Sequence, residues 1–426
     1  MKLLSLRPRR FLAYAAALLP LACVTSGSVS EGVIVLFVLL GAATIVRDPE
    51  YRAELLREPL LRPTVALVSA LTLAATLADP YPKVTAVTPI LVLLVVPLGA
   101  VLFRLDRQAF RTVTRAAALA VAIAFVASVI QVFGIHPLRN APDEMRYWRV
   151  HPVLPIHRAT GLFHHPIHFG ATMALFAFWW FAEALRQRRS YVPALLALLA
   201  LVTAIMSFSK SVWLGMAAAV ATLLVVALRG RARWILLGIA SVVVVGMLSV
   251  PAVRERGPYF LPDKQTQRLR YWGLAWQMFR KAPILGEGPR SFRTRAALYL
   301  DESFVKRHMG ALDPHNTYLE ILSGAGLVGF AAFLWWLLAA GVPLFRGAHA
   351  GSPQAAAGLA AWMFLVVAGT FDHYLSSRIT TPVLLLLWAS GLAIDGMHPL
   401  RNASSAESGH RRFPLFLSGR DAPGTG

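Results

Sequence analysis

The stretch YVPALLALLALVTAIMSFSKSVWLGMAAAVATLLVVAL, residues 191–228, sets the fold class. It contains two apolar runs, 191–208 and 211–228, with Lys210 the single charge between them. A helix needs about 20 mostly apolar residues to cross a bilayer, and somewhat shorter runs serve inside a bundle. Working outward, comparable runs lie near 11–25, 30–46, 63–79, 85–103, 113–134, 167–185, 233–250, 318–345, 354–371 and 381–396. The composition agrees: 57% of the 426 residues are hydrophobic and 15% charged, against about 25% charged in a typical soluble domain. The expectation is an all-α, polytopic membrane protein of about twelve transmembrane helices spanning residues 1–396, followed by a disordered tail over 397–426.

Lys and Arg orient the chain, because short cytoplasmic loops collect them. One set of alternate connections carries Lys2, Arg7, Arg9 and Arg10, then Arg47, Arg52, Arg57 and Arg62, then Arg104, Arg107, Arg111 and Arg115. Arg186, Arg188 and Arg189, then Arg229, Arg231 and Arg233, and Arg346 continue it, and the opposite short connections, TSGSVSE and DPYPK, are nearly bare. Both termini are therefore expected on the cytoplasmic side. A net charge of +21 distributed in this way punctuates the apolar runs. It does not form the basic face of a nucleic-acid binder. The single cysteine, Cys23, permits neither an intrachain disulfide nor a cysteine metal cluster. The first run reads as a retained helix, not a cleaved leader, because so many apolar runs follow it.

Two outer connections break the short-loop pattern, 135–166 and 251–317. The second holds twelve Lys or Arg against six Asp or Glu. Within it Leu269, Trp272, Trp276 and Phe279 recur at helical spacing over 268–280, and the flanking basic residues place that helix along the membrane interface. A basic, aromatic-rich surface at headgroup depth suits a lipid-linked anionic substrate such as a polyprenyl diphosphate, or simply anionic lipid headgroups.

His315 stands just before the run that begins at 318, with Asp313 and Asn316 beside it. A histidine there suits a general base, since its proton equilibrium lies near neutrality, or serves only as an interface residue. Asp313 suits the cap of the helix that follows. Lys210 is a charge at membrane depth, which marks a functional residue or a snorkelling one. Arg268 and Arg270 open the amphipathic helix, and their planar forks match phosphate oxygens. GLFHHPIHFG brings His164, His165 and His168 to helical spacing, but no carboxylate lies nearby in sequence and Pro166 interrupts the geometry, so no metal is expected. PILGEGPRSF lacks the strand and the GK[ST] ending of a P-loop and reads as a tight turn.

Three of these segments, in order, resemble the O-antigen ligase and polymerase superfamily of bacterial envelope glycosyltransferases. They are SFSKSVWLG at 207–215, RLRYWGLAWQMFRKAPILGEGPRSF at 268–292 and HNTYLEILSGAGLVG at 315–329. The last matches the family's His-Asn, nine residues, Gly-x-x-Gly signature through His315, Asn316, Gly326 and Gly329. Phe330 and Ala331 stand where the ligase form often carries threonines, and Lys210 stands where the family prefers arginine.

The resemblance implies a C-type glycosyltransferase architecture. It implies an inverting, metal-independent transfer, without cofactor, from an undecaprenyl-diphosphate-linked glycan to a lipid A–core acceptor on the periplasmic side of a bacterial inner membrane. His315, Arg268 and Lys210 would be catalytic; Arg270, Asn316, Trp272 and Arg290 would bind substrate. An O-antigen polymerase, a protein O-oligosaccharyltransferase and a non-catalytic glycolipid transporter are the alternatives. Transporters place their ionisable residues near the bilayer midplane, whereas here the charges gather at the outer ends. Asp372 and His373 end the eleventh run on the same side, joining the site or merely marking the interface.

Overall fold

The computed structural model describes residues 2–78, 90–132, 157–162, 165–187, 189–227, 238, 262–296, 298–299 and 313–395. Among these the regular structure is helical: α1 (Lys2–Thr25), α2 (Gly27–Arg47), α3 (Pro49–Arg57), α4 (Leu61–Ala78), α5 (Val95–Leu105) with a 3₁₀ turn before it, α6 (Arg107–Val132), α7 (Pro166–Arg186) and α8 (Val192–Met206). After them come α9 (Lys210–Ala227), α10 (Pro262–Lys281), α11 (Phe292–Ala296), α12 (Thr317–His349), α13 (Pro353–Ala368) and α14 (Thr380–Asp395).

Every apolar run read from the sequence falls on one of these helices except 233–250, which apart from Gly238 lies outside the described residues, as does the tail 397–426. By length and composition four described helices can cross a membrane: α2, α4, α6 and α12. The helices α5, α8, α9, α13 and α14 are apolar but shorter. The expectation of about twelve spans is therefore not met on length alone.

The bundle is apolar outside as well as inside. Leu39, Val46, Leu77, Leu195, Leu338 and Phe345 are exposed, while Phe37, Phe176, Trp179, Trp336 and Trp388 are fully buried. A helix set with apolar residues all round is what a lipid solvent selects. The helices pack closely where small residues meet, as in membrane bundles: a Cβ on Gly341 would lie 2.7 Å from the Trp362 ring, and one on Gly215 2.8 Å from Phe364.

One end of the bundle is tied by ion pairs. Arg9 holds Asp48 and, at 2.7 Å, Glu50, while Arg104 holds Glu54 at 2.7 Å and Glu58 at 2.9 Å. Asp48 also caps α3 through the Tyr51 amide. That short helix was not foreseen, since its nine residues carry no apolar run.

The opposite end contains a broken helix. In α12 the backbone leaves the helical region at Gly326, where φ is 62° and ψ −161°. The break frees the carbonyls of Ser323 and Gly324 and the amides of Leu327 and Val328, which must find partners if buried. The turn after α10 supplies all four: Glu287 N–H donates to Ser323 O and Gly288 N–H to Gly324 O, each at 2.9 Å, while Leu327 and Val328 donate to Pro283 O and Ile284 O at 2.8 and 3.2 Å. The glycines make this possible. A Cβ on Gly286 would overlap the Gly324–Ala325 backbone, and one on Gly326 would overlap Ile284 and Leu285.

Candidate active site

The site is built on the start of α12. Asn316 is its N-cap: Oδ1 accepts from the amides of Tyr318 and Leu319 at 3.0 Å, and Nδ2 donates to Thr370 O at 3.1 Å. Asn316, expected to bind substrate, thus has both ends of its amide engaged by the fold, and it takes the capping role expected of Asp313. Thr317 stitches the same turn to the α13–α14 connection. Its amide donates to Gly369 O at 2.7 Å, and its hydroxyl donates to Asp372 O at 2.8 Å and accepts from the Tyr374 amide at 3.2 Å.

Held from both sides, His315 adopts φ +46°. A left-handed non-glycine backbone is uncommon and persists only where the surroundings impose it. One clamp is Trp272 of α10, whose indole N–H donates to Pro314 O at 3.0 Å. Trp272 therefore fixes the histidine turn.

Behind His315 lies Asp372, completely buried. Its Oδ1 is 3.4 Å from His315 Nδ1, 3.0 Å from His373 Nδ1, and accepts from the His373 amide at 2.9 Å. Its Oδ2 is buried without a hydrogen-bond partner among the described residues. Burial alone would raise the Asp372 carboxyl, but the hydrogen bonds and charge of the two imidazoles outweigh it and hold the group well below the usual carboxylate range. For His373 burial works downward, and the Asp372 carboxylate overcomes it, so the imidazole is pushed up to about 9. Asp372 and His373 are then a charged pair at neutral pH. The Asp372 carboxylate faces His315 Nδ1, which leaves Nε2 as the ring nitrogen outside that contact.

The expected phosphate-binding residues converge on this region from three elements. Arg290, in the docked turn, adopts φ +61° and reaches Ser376 O at 3.5 Å. Its burial lowers the guanidinium below the usual arginine range, with Glu320 countering. Lys210 opens α9 between Ser209 and Ser211, whose hydroxyls lie 3.4 Å apart, and the Ser211 hydroxyl meets the Tyr374 phenol at 3.0 Å. Arg268 is half-buried on α10 and its charge acts on the same phenol. Arg270 is exposed. The apolar stripe expected on this helix is partly outward: Leu269 and Trp276 are exposed, and the packed face is Tyr271, Leu274, Ala275 and Met278 against Phe292.

Two residues of the site escaped the sequence reading. Glu320, one turn into α12, accepts from Ser376 Oγ at 3.3 Å and acts on Arg290 and His373. Tyr374 follows the Asp-His pair and is fully buried. Beside the site, His168 of the GLFHHPIHFG cluster, in the first turn of α7, sets its ring 5.0 Å from that of His373. The acidic residue inside HNTYLEIL was the available signal for Glu320; nothing in the sequence marks Tyr374. His164 lies outside the described residues.

A membrane-type bundle thus gathers basic residues and a histidine–carboxylate pair at one end. Residues 194–334 match the family model described as O-antigen ligase. That stretch is about a third of the chain, and over it the chain is similar to that family. The matched stretch includes Lys210, Arg268, Trp272, Arg290 and His315 but ends before Asp372. No curated protein matches the chain.

Proposed function

We propose that this chain is an O-antigen ligase, transferring a glycan from undecaprenyl diphosphate to a sugar of lipid A–core on the periplasmic face of a bacterial inner membrane. The observation that carries this reading is His315, held in a left-handed turn with a buried carboxylate at its back. On this reading the turn lies outside, at headgroup depth, in a frame of about twelve helices with both termini cytoplasmic.

In the reaction the acceptor hydroxyl oxygen attacks the anomeric carbon, the bond from that carbon to the phosphate oxygen breaks, and undecaprenyl diphosphate leaves with the electron pair. His315 Nε2 takes the hydroxyl proton, and Asp372 stabilises the imidazolium that forms. Attack opposite the leaving group inverts the anomeric centre. Arg268, Lys210 and Arg290 hold the diphosphate and offset the charge that builds on it, with Arg270 at the rim of the same patch. The chain's own cations suffice for this, so the transfer proceeds without a metal or a cofactor. Asn316 and Trp272 act through the turn they fix. The exposed Leu269 and Trp276, flanked by basic residues, suit contact with membrane lipids.

The test is glycan transfer in liposomes, with undecaprenyl-diphosphate-linked glycan, lipid A–core and chelator and without nucleotide. Wild type should modify lipid A–core, His315→Ala should lose about 10²- to 10⁴-fold in rate, and Arg268→Ala about 10²-fold. Undiminished transfer in His315→Ala would remove the base. Phe330 and Ala331, where ligases often carry threonines, favour a polymerase as the second reading, and glycan lengthening on its own carrier would replace the ligase with it.

A further inference from the structure

We infer that His168, Asp372 and His373 form a binding site for a divalent transition-metal ion of the zinc class, and that an ion seated there slows glycan transfer. The three residues come from α7 and the α13–α14 connection, and each offers a ligand atom within 4.8 Å of the others. Tetrahedral zinc with ligands at about 2.0–2.2 Å sets them about 3.4 Å apart, so closure needs side-chain rotations and no movement of helices.

The cluster has unsatisfied capacity. Asp372 Oδ2 and His168 Nδ1 are both buried and accept or donate no hydrogen bond among the described residues. Buried polar atoms left in that state are costly and call for a ligand. The chemistry of the set, two imidazoles and one carboxylate, selects zinc-class ions over Mg²⁺ or Ca²⁺, which want six or more oxygens. Three protein ligands leave a fourth position open, and His373 and His315 are both partly exposed beside it. The supporting carboxylate that the sequence around GLFHHPIHFG lacks is supplied by a residue some 200 positions later.

The effect on transfer is geometric and rests on the function proposed above. Asp372 is the carboxylate that orients His315, and a metal bound to it competes for the same group. Occupancy loosens the His315–Asp372 contact, and the base is less well placed.

The experiment uses the full chain without a polyhistidine tag, in detergent and in liposomes. Zn²⁺ binding is measured by equilibrium dialysis, and Co²⁺ is used as a probe whose visible bands report tetrahedral nitrogen and oxygen ligands. Wild type should bind one ion, and His168→Gln should bind it at least about tenfold more weakly while keeping its melting temperature and its chelator-treated transfer rate. Stoichiometric Zn²⁺ should lower wild-type transfer severalfold and leave His168→Gln unaffected; excess chelator should restore the wild type. Equal Zn²⁺ affinity in the two proteins, or no binding to either, overturns the site. Binding with unchanged transfer overturns its link to His315. Absence of transfer in chelator would instead count against the ligase reading, and the dialysis and Co²⁺ spectra would still decide the metal site.

Discussion

The two ends of the bundle treat buried carboxylates in opposite ways. At the Asp48 end the buried acids meet arginines: Asp48 lies on Arg9, Glu58 on Arg104, and Glu183 on Arg186. At the His315 end the fully buried Asp372 meets two imidazoles and keeps one oxygen without a hydrogen bond among the described residues. An arginine never releases its proton, so its ion pairs fix helices in place. An imidazole does release it, so a carboxylate placed between two of them is arranged for proton transfer. The backbone makes the same contrast. His315 and Arg290 hold left-handed conformations at one end, while the Asp48 turn is an ordinary extended cap.

The sharpest way to break this contrast is Asp372→Asn. The amide keeps the size of the side chain and removes the charge behind His315. Transfer should fall by about 10²-fold or more, with little change in the melting temperature of the detergent-solubilised protein. A large drop in stability with a proportionate loss of activity would make Asp372 one more structural acid and erase the difference between the ends.

Gly326→Ala comes next. A Cβ there would overlap the Ile284–Leu285 backbone, and φ is +62°. The strain amounts to about 1–3 kcal/mol. Relief must push the 283–288 turn away, and Arg290 moves with it. Transfer should fall on the order of 10²-fold, as misplacement of a positioned group by about 1 Å does. An unchanged rate would mean that Arg290 does not need the docked turn.

How far the sequence carried is clear from particular elements. The run 113–134 became Arg107–Val132 and the run 318–345 became Thr317–His349, because length and apolarity alone decide a helix in lipid. The break at Gly326 was not legible: glycine marks permission for such a backbone, and only the docked turn shows that it is used. His315 was a candidate base from residue type and position, whereas Arg268 and Arg290 were singled out through the resemblance. Asp372 was visible only as an open question, since it lies 57 residues from His315 and the contact exists once α12 and the α13–α14 connection are side by side. The hydrogen bonds of Trp272 to Pro314 O and of Asn316 to Thr370 O were not legible for the same reason, because a residue's spacing does not reveal which carbonyl its N–H will find.

Arg104→Ala addresses the other end. It leaves Glu58, which is 2% exposed, without its guanidinium. Breaking a buried pair on one side costs about 3 kcal/mol, so the melting temperature should drop clearly. The transfer rate of the protein that remains folded should match wild type. Loss of transfer at full stability would mean that the Asp48 end takes part in the chemistry.

The smallest expected effect is that of Asp48→Asn, and its pH dependence is the useful part. Asparagine caps a helix about as well as aspartate, so the hydrogen bond from the Tyr51 amide survives and only the charge facing Arg9 is lost. Burial disfavours the Asp48 carboxylate, but the Arg9 hydrogen bond and charge and the Tyr51 amide outweigh it, and the carboxyl sits below its ordinary value. A carboxyl lowered by folding contributes stability above its unfolded value, near 3.9, and loses that contribution as pH falls through the lowered folded value. At neutral pH the variant should therefore be less stable by about 1 kcal/mol or less, and the gap in melting temperature should close as the buffer is taken below about pH 4. A gap that persists at low pH would mean that the charge of Asp48 contributes nothing, and that the ion pairs of this end are packing alone.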